Sequence, residues 1–322
     1  MRSLRTGGGA GCLGVERAWR GLWLVVERTS FDENIRLELL NCSKDDLRDD
    51  FASAGATDKS GLHAVVYARA VGRGHEPYGA ILANLEFGPE PEDVTLLQRC
   101  ATVALLAQAP FVAGASPRLL GVGNHHALGA ADRAQGSDAL KLLRAEECSR
   151  ALGLVLPRFL LRAPFGRGER AEASFACEES TEDHESYCWG NASFAFATRL
   201  TDSFARYRWC PNIIGPGGGG VIEGLPRPEG EGMIEAPTEV ALSLPQEAGI
   251  AERGLIPLLA VAPGQACFFS ANSLQAPRSF GDTDEGRAEE MNYRLGTSFL
   301  GPSSSPVSFI ISRSSTALIS TP

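Results

Sequence analysis

Residues 187–220 have the sequence YCWGNASFAFATRLTDSFARYRWCPNIIGPGGGG, and this stretch decides the fold of the chain. The positions that recur near helical spacing are Ala195, Thr198, Leu200, Thr201 and Phe204. This period predicts a helix that buries one face, and the proline and glycine run that follow predict where the helix pattern stops. None of these positions offers a nucleophile beside a base or a phosphate-binding lysine. We therefore interpret the stretch as a packing element.

The segments on either side alternate between strand and helix patterns. Ser43 and Asp46 have the spacing of a capping box, which predicts a helix through Phe51. Another helix is predicted from Pro91, where acidic residues favour the helix dipole. Strands are predicted at 35–39, 65–67, 80–85, 240–244 and 255–261, a further helix at 138–150 and an apolar segment at 152–161. The alternation predicts an α/β fold whose sheet is mixed or parallel.

The bulk composition describes a globular protein. The chain has 322 residues, of which 43% are hydrophobic and 21% charged, which is enough to form a sizeable core. Its formal charge of −9 argues against nonspecific nucleic-acid binding, because a phosphate lattice would repel it. Four arginines form a basic run that glutamates interrupt, and we interpret them as a solvated surface. They are Arg158, Arg162, Arg167 and Arg170.

The cysteines and the apolar runs indicate in which cellular compartment the protein is expected to fold. Eight cysteines are scattered without a CxxC pair, so their spacing matches neither a zinc site nor a compact disulfide framework. Buried thiols of this kind predict a reducing cytoplasm. The apolar run at 21–26 is too short to span a bilayer, so no membrane insertion is predicted.

The glycine run Gly215–Gly220 has two interpretations. Backbone N–H groups of such a run can hold phosphate, but a phosphate loop needs a lysine and a hydroxyl residue next. Here Val221, Ile222 and Glu223 follow, which favours a structural turn over a nucleotide-binding enzyme.

Three other polar groups favour structural interpretations. His125 and His126 are adjacent without a third metal ligand nearby, which indicates an exposed loop pair. Asp183, His184 and Glu185 resemble an acid/base cluster but lie among glutamates, which favours a solvated acidic segment. Ser270 lacks the motif of a hydrolase nucleophile. We predict no catalytic, cofactor-binding or metal-binding residue, hence no cofactor and no enzymatic activity.

The aromatic residues of the opening stretch form either a core or a binding surface. They are Trp189, Trp209, Phe194, Phe196 and Phe204. Their position on one amphipathic helix and its flanks favours the core for most of them, over a ligand pocket or an assembly hot spot.

Short motifs along the chain resemble those of the large subunit of the bacterial type VI secretion contractile sheath, the TssC/VipB family, and they occur in the same order as in that family. The matching segments lie at 19–22, 32–47, 76–82, 91–94, 109–117, 156–162, 189–191, 237–240, 268–272 and 292–297. The residues matched as structural motif are Trp189, Gly190, Asn191, Trp209, Pro211, Gly215, Gly218, Gly219, Pro237, Glu239 and Asn272. Ordered matches from about residue 15 to 298 are more specific than any single glycine motif.

The resemblance implies a contractile tail-sheath-like fold, with mixed sheets flanked by helices, and a structural function. Such a chain pairs with the small sheath subunit (TssB/VipA type) and polymerises with its own copies around the inner tube. Contraction then drives effector injection from a baseplate, and a hexameric ATPase recycles the sheath. The family's ATPase-binding segment is not recognisable at 1–14, and the family's C-terminal sheet-forming portion is not recognisable either. The resemblance therefore predicts a chain truncated at both ends.

The resemblance also predicts how the chain is divided. A disordered start at 1–14 precedes a first α/β part at 15–118, a junction at 119–139 and a second α/β part at 140–300. The tail at 301–322 is rich in serine, which we interpret as a truncated or frame-shifted end. A chain of this kind is expected to polymerise poorly by itself, and a fragment that binds the small subunit without extending the sheath is the alternative.

Overall fold

The computed structural model describes residues 9–68, 77–125, 127–129, 136–164, 184–226, 236–276 and 307–313. Ten strands form two sheets within these ranges. They are β1 (Ile35–Asn41), β2 (Tyr78–Phe87), β3 (Phe111–Ala115), β4 (Leu152–Leu156), β5 (Phe159–Leu160), β6 (Trp189–Gly190), β7 (Val221–Ile222), β8 (Leu255–Ala262), β9 (Gln265–Phe268) and β10 (Val307–Arg313).

The main sheet is mixed. Its eight strands have the order β1-β10-β2-β3-β4-β8-β9-β7, and the first six are parallel to their neighbours. Strand β9 pairs antiparallel with β8 and β7, while β5 and β6 form a separate antiparallel pair. The predicted mixed α/β class is confirmed.

Helices cover both faces of this sheet, which is the arrangement that parallel strands need because both of their faces are apolar. The helices are α1 (Gly9–Glu27), α2 (Lys44–Ala54), α3 (Gly61–His63), α4 (Pro91–Ala107), α5 (Asp138–Ala145), α6 (Ala192–Tyr207) and α7 (Leu244–Ala251). None of the helices in the described ranges combines the length and the apolar character that a bilayer crossing requires.

Side chains alternate across the central strands and so divide the core into two layers. On β3, Phe111 and Ala113 join the layer that contains Phe51 of α2 and the apolar face of α4. Val112 points the other way and joins the layer formed with α1 and α6, which contains Phe196. The period of two along the strand therefore places α6 against the sheet, on the face opposite α4.

Local signals explain where the helices begin. The predicted capping box of α2 is confirmed, since Asp46 N donates to Ser43 Oγ at 3.1 Å and Ser43 N donates to the Asp46 carboxylate at 2.7 Å. Helix α6 begins after Asn191, whose side chain accepts a hydrogen bond from Ser193 N at 2.9 Å. The sequence period that predicts α6 is confirmed, since all five of its residues are buried: Ala195, Thr198, Leu200, Thr201 and Phe204.

Two predicted strands are wrong, and one predicted helix is too long. Residues 65–67 belong to a π-helical turn, because the buried residues Leu62 and Val66 are four apart and favour a helix. Residues 240–244 form no strand, since a capping box of Ser243 and Gln246 begins α7 there. The helix predicted at 138–150 ends at Ala145, after which the chain forms a 3₁₀ turn.

Some observed elements fall inside segments that the sequence marked as irregular. Helix α1 begins at Gly9 and β10 lies within the serine-rich tail. Strands β3 and β4, on either side of the predicted junction at 119–139, are neighbours in one sheet. The two predicted α/β parts thus share a sheet, and the boundary between them stays a prediction.

Candidate functional site

A buried carboxylate lies beyond the carboxyl ends of the parallel strands. The Glu239 side chain is 1% exposed and accepts two hydrogen bonds from Arg158, from Nε at 2.7 Å and from Nη2 at 2.6 Å. His184 Nε2 lies 2.7 Å from Glu239 Oε1, and His125 Nδ1 lies 3.5 Å from Oε2. Arg158 also donates to Glu185 at 3.1 and 2.7 Å. These five residues form what we call the Glu239 cluster.

The ion pair shifts the pKa values of both partners. Burial by itself would raise the pKa of Glu239, but the hydrogen bonds from Arg158 and His184 outweigh it and lower that pKa to about 2. Burial likewise opposes the charge on Arg158, yet its hydrogen bonds to Glu239 and Glu185 raise its pKa above the ordinary value. Both groups are therefore charged near neutral pH, and each compensates the burial of the other.

Backbone contacts bring the cluster together from distant parts of the chain. Arg158 lies between β4 and β5, and its carbonyl accepts a hydrogen bond from Glu239 N at 2.9 Å. The Pro237 carbonyl accepts another from Leu160 N at 2.8 Å. The segment that carries Glu239 therefore runs along β5, which fixes the carboxylate opposite the guanidinium.

Hydrogen bonds from two arginines hold helix α1 against the same region. Arg17 Nη2 donates to the backbone carbonyls of Glu185 and Tyr187 at 2.7 and 2.8 Å. Arg162, on the strand side, donates to both oxygens of Glu16 at 2.5 and 2.7 Å. Burial and the nearby Arg158 lower the pKa of Arg17 from its usual value. The orientation of α1 is thus set by charged contacts as well as by its apolar face.

A cavity of about 210 Å³ opens beside the cluster. It lies where β2, β3 and β4 end, next to the first residues of α6, and Arg17, Arg158, Glu86, His125 and Asn191 line it. The Nε atom of Arg17 and the Nδ1 atom of His125 are buried there without a hydrogen-bond partner among the described residues. The carboxyl edge of a parallel sheet is where open α/β folds bind ligands.

The first three matched motif residues lie at this edge. Trp189 is buried and its Nε1 donates to the His184 carbonyl at 2.9 Å. Asn191 caps α6 and also donates to the Leu85 carbonyl at 3.1 Å. A Cβ on Gly190 would meet Leu161 at 2.7 Å, so this position accommodates only glycine without rearrangement. Together with Pro237 and Glu239 they make one contiguous group.

The other matched residues lie elsewhere. Gly215, Gly218 and Gly219 form a turn in which Gly215 N donates to the Phe268 carbonyl at 2.7 Å. Arg199 donates to the Val221 carbonyl at 2.5 Å and fastens the turn to α6. The structural turn predicted for the glycine run is confirmed. Asn272 is separate again, 3.5 Å from the Ala251 carbonyl of α7.

Trp209 and Pro211 lie at the end of α6, before the turn. The prediction that most of the aromatic residues belong to the core is confirmed, since four of the five are buried: Trp189, Phe194, Phe196 and Phe204. Trp209 is the exception, with 42% of its surface exposed. The assignment of all eleven matched residues to a family motif stays a prediction.

Four polar residues contradict their sequence interpretation. Arg158 and Arg162 are not a solvated surface, because each is largely buried in an ion pair. His125 is 7% exposed instead of lying in an exposed loop, and His184 contacts the buried Glu239. In each case the side chain is paired with a charged residue far away in sequence, so local composition does not indicate its burial. No spacing between these residues in the sequence would have predicted the contact. His126, Asp183, Arg167 and Arg170 lie outside the described residues.

The chemistry of the cluster is that of a structural ion pair, which holds two distant segments of the chain together. Its two carboxylates are both held by close hydrogen bonds from the Arg158 guanidinium, which leaves no activated nucleophile there. The described residues contain no group of three or more His, Cys, Asp or Glu arranged to hold a metal ion. Burial raises the pKa of three cysteines to about 11, namely Cys42, Cys188 and Cys267, and that of Cys210 to about 12, so these thiols stay protonated.

Comparison with known proteins agrees with a structural interpretation. Residues 13–275 match the model of the VipB family, described as EvpB/VC_A0108, tail sheath N-terminal domain. The chain is also 35% identical over 292 residues to the "Type VI secretion system sheath protein TssC1" of Pseudomonas aeruginosa. That alignment covers 84% of this chain and 58% of the relative, so the chain spans little more than half the relative's length. The chain belongs to the VipB family of tail sheath proteins.

Proposed function

We propose that this chain is a structural subunit of a type VI secretion contractile sheath, which pairs with the small sheath subunit and polymerises around the inner tube. The observation that carries the proposal is the family match across 13–275, which includes seven of the eight strands of the main sheet, both helical layers and the Glu239 cluster. The relative's name, a type VI secretion sheath protein, points the same way. Contraction of the assembled sheath then drives effector injection.

The geometry supports a subunit that moves as a rigid body. Helices pack both faces of the sheet, and the Arg158–Glu239 and Arg162–Glu16 pairs join α1 and the loops to it. Contractile assemblies work by switching between two packings of the same subunits, so each subunit must keep its shape. A helical tube follows from head-to-tail interfaces that do not close into a ring.

The remaining partners of the proposal come from the family resemblance. They are the baseplate on which the sheath assembles and the hexameric ATPase that recycles it, all in the bacterial cytoplasm. The proposed interfaces between subunits use main-chain hydrogen bonds of added strands, which give directional links.

Co-expression with the small sheath subunit tests the proposal. The complex would be purified through a tag on the small subunit and examined by negative-stain electron microscopy. We expect co-purification followed by tubular filaments. Binding without filaments would instead favour a fragment that associates with the small subunit and does not extend the sheath. Absence of binding would contradict both.

A further inference from the structure

The last described strand of the chain lies between two strands of the matched family domain. Strand β10 pairs parallel with β1 along the whole of Ile35–Asn41, and it pairs parallel with β2 on its other side. Both β1 and β2 lie within the family match across 13–275, whereas β10 lies outside it. The matched domain therefore contains the two walls of a gap one strand wide, but not the strand that fills it. We call this gap between β1 and β2 the β10 slot.

The walls of the β10 slot are held by contacts that do not involve β10. The Tyr78 hydroxyl of β2 donates a hydrogen bond to the Glu38 carboxylate of β1 at 2.5 Å, which joins the two walls directly. At the start of β1, Ile35 is buried in the core layer that contains α1 and α6. Leu40 packs against the opposite layer. We therefore expect the slot to keep the width of one strand when β10 leaves it.

The part of β2 that borders the slot determines which kind of strand fits. Residues 80–83 are each at most 2% exposed, and they alternate between the two core layers. A strand beside β2 contacts the same two layers, which favours a continuous run of apolar residues over an alternating one. Its backbone N–H and C=O groups must also pair with both walls, because unpaired groups there would be costly. The slot therefore selects a parallel, apolar strand.

We propose that β10 is a displaceable occupant of this slot, which a parallel strand of the small sheath subunit replaces when the two chains pair. The inference rests on the proposed function, because it gives the pairing there a site. Until β10 leaves, the facing edges of β1 and β2 are both paired within the chain. This occupation lowers the apparent affinity for the small subunit by the fraction of chains whose slot is open. The tail strand thus restrains assembly.

The small subunit fits this exchange better than a second copy of the chain does. The β10 strand of a second copy would make the same main-chain hydrogen bonds as the resident β10, so the exchange gains no new bond. The resident strand is also favoured by its covalent attachment, which raises its local concentration. A strand from a different chain brings its own further contacts, and main-chain bonding to two walls makes the link directional.

Hydrogen exchange of the full chain, alone and after mixing with the purified small sheath subunit, tests the replacement. We expect the β10 amides to lose protection on mixing, while the amides of β1 and β2 stay protected by the incoming strand. A complex in which β10 keeps its protection overturns the inference and leaves the pairing of the two chains intact. Dimers of this chain alone, with β10 protected, would place the strand of a second copy in the slot and also overturn it.

A proline variant weakens the resident strand in the full chain. Ile310→Pro removes a backbone N–H in the middle of β10, where a central strand does not accommodate proline. We expect this variant to bind the small subunit at least about tenfold more tightly than wild type. Ser320→Pro, which lies outside the strand, is the control and should bind like wild type. Equal binding by both proline variants contradicts the inference, whereas no complex with any of these chains contradicts the proposed function itself.

A disulfide variant decides the matter if Ile310→Pro fails to fold. Leu39 of β1 and Ile311 of β10 are register partners, and neighbouring strands are close enough for a disulfide between such positions. The double variant Leu39→Cys with Ile311→Cys would be oxidised, checked by mass spectrometry and mixed with the small subunit before and after reduction. We expect the oxidised chain to bind at least about tenfold more weakly than the reduced chain, because β10 can no longer leave. Equal binding in both states overturns the inference.

Discussion

Arg158 and Glu239 are 81 residues apart in sequence, yet the guanidinium donates two hydrogen bonds of 2.7 and 2.6 Å to the buried carboxylate. Neither residue belongs to a strand of the main sheet. The pair instead joins the chain after β4 to the segment before α7, and Arg17 ties α1 to the segment that supplies Glu185. The shape of the subunit therefore depends on a few buried charges in addition to its apolar layers.

Glu239→Gln is expected to destabilise the chain by about 3–5 kcal/mol, because it leaves Arg158 buried without its main carboxylate. Urea unfolding followed by tryptophan fluorescence would measure the loss. Glu252→Gln, the same change at an exposed position, is the control and should stay within about 0.5 kcal/mol of wild type. Similar stabilities for both variants would show that the buried pair contributes little.

Stability should depend on pH through the same carboxylate. Its pKa is lowered to about 2 in the folded chain from an ordinary value of 4.5, so the unfolded chain takes up the proton first. The contribution is complete above about pH 4.5 and is lost as the pH falls toward 2, at no more than ~1.4 kcal/mol per pH unit. Urea unfolding of wild type and Glu239→Gln at several pH values isolates this one group. Parallel curves for the two proteins in that range would refute the assignment.

Gly114→Ala is expected to cost about 1–3 kcal/mol by overpacking. A Cβ there would lie 2.5 Å from Asn191 Nδ2, which would displace the side chain that caps α6 and contacts the Leu85 carbonyl. Thermal unfolding would measure the effect. Gly123→Ala is the matched control, since a Cβ at Gly123 meets nothing within 4 Å. An unchanged Gly114→Ala protein would mean that Asn191 is free to move.

Gly219→Ala tests whether the glycine run is a structural turn. Gly219 has a φ of +81°, and its Cβ would lie 2.7 Å from the Asn212 carbonyl oxygen. The left-handed backbone alone is expected to lower the free energy of unfolding of Gly219→Ala by about 1–2 kcal/mol. The control Gly217→Ala should leave it unchanged, because a Cβ at Gly217 meets nothing within 4 Å. We expect no heat of binding when ATP and magnesium are titrated into wild type. Measurable ATP binding that Gly219→Ala removes would support a nucleotide site instead.

The sequence predicts the parts of this fold that depend on local periodicity. The helical spacing of Ala195, Thr198 and Phe204 identifies α6, and Ser43 with Asp46 identifies the start of α2. Short apolar runs are ambiguous because a buried strand and a buried helical turn look alike over three residues, as at 65–67. There the pair Leu62 and Val66 carried the helical signal.

The candidate site is not predictable in the same way. Its charges come from α1, from the ends of β2 and β4, and from a segment far along the chain, so nothing in local composition relates them. His125 has polar neighbours in sequence, yet its side chain is buried in the fold. The family resemblance predicts that Glu239 is part of a motif, and the structure adds the partners that surround its carboxylate.

The most direct test of the central claim is co-purification of this chain with the small sheath subunit, with the mass of the complex measured by light scattering. The account predicts that the small subunit retains the chain in a constant ratio, in particles larger than one pair. A chain that elutes as a monomer whether or not the small subunit is present would contradict it.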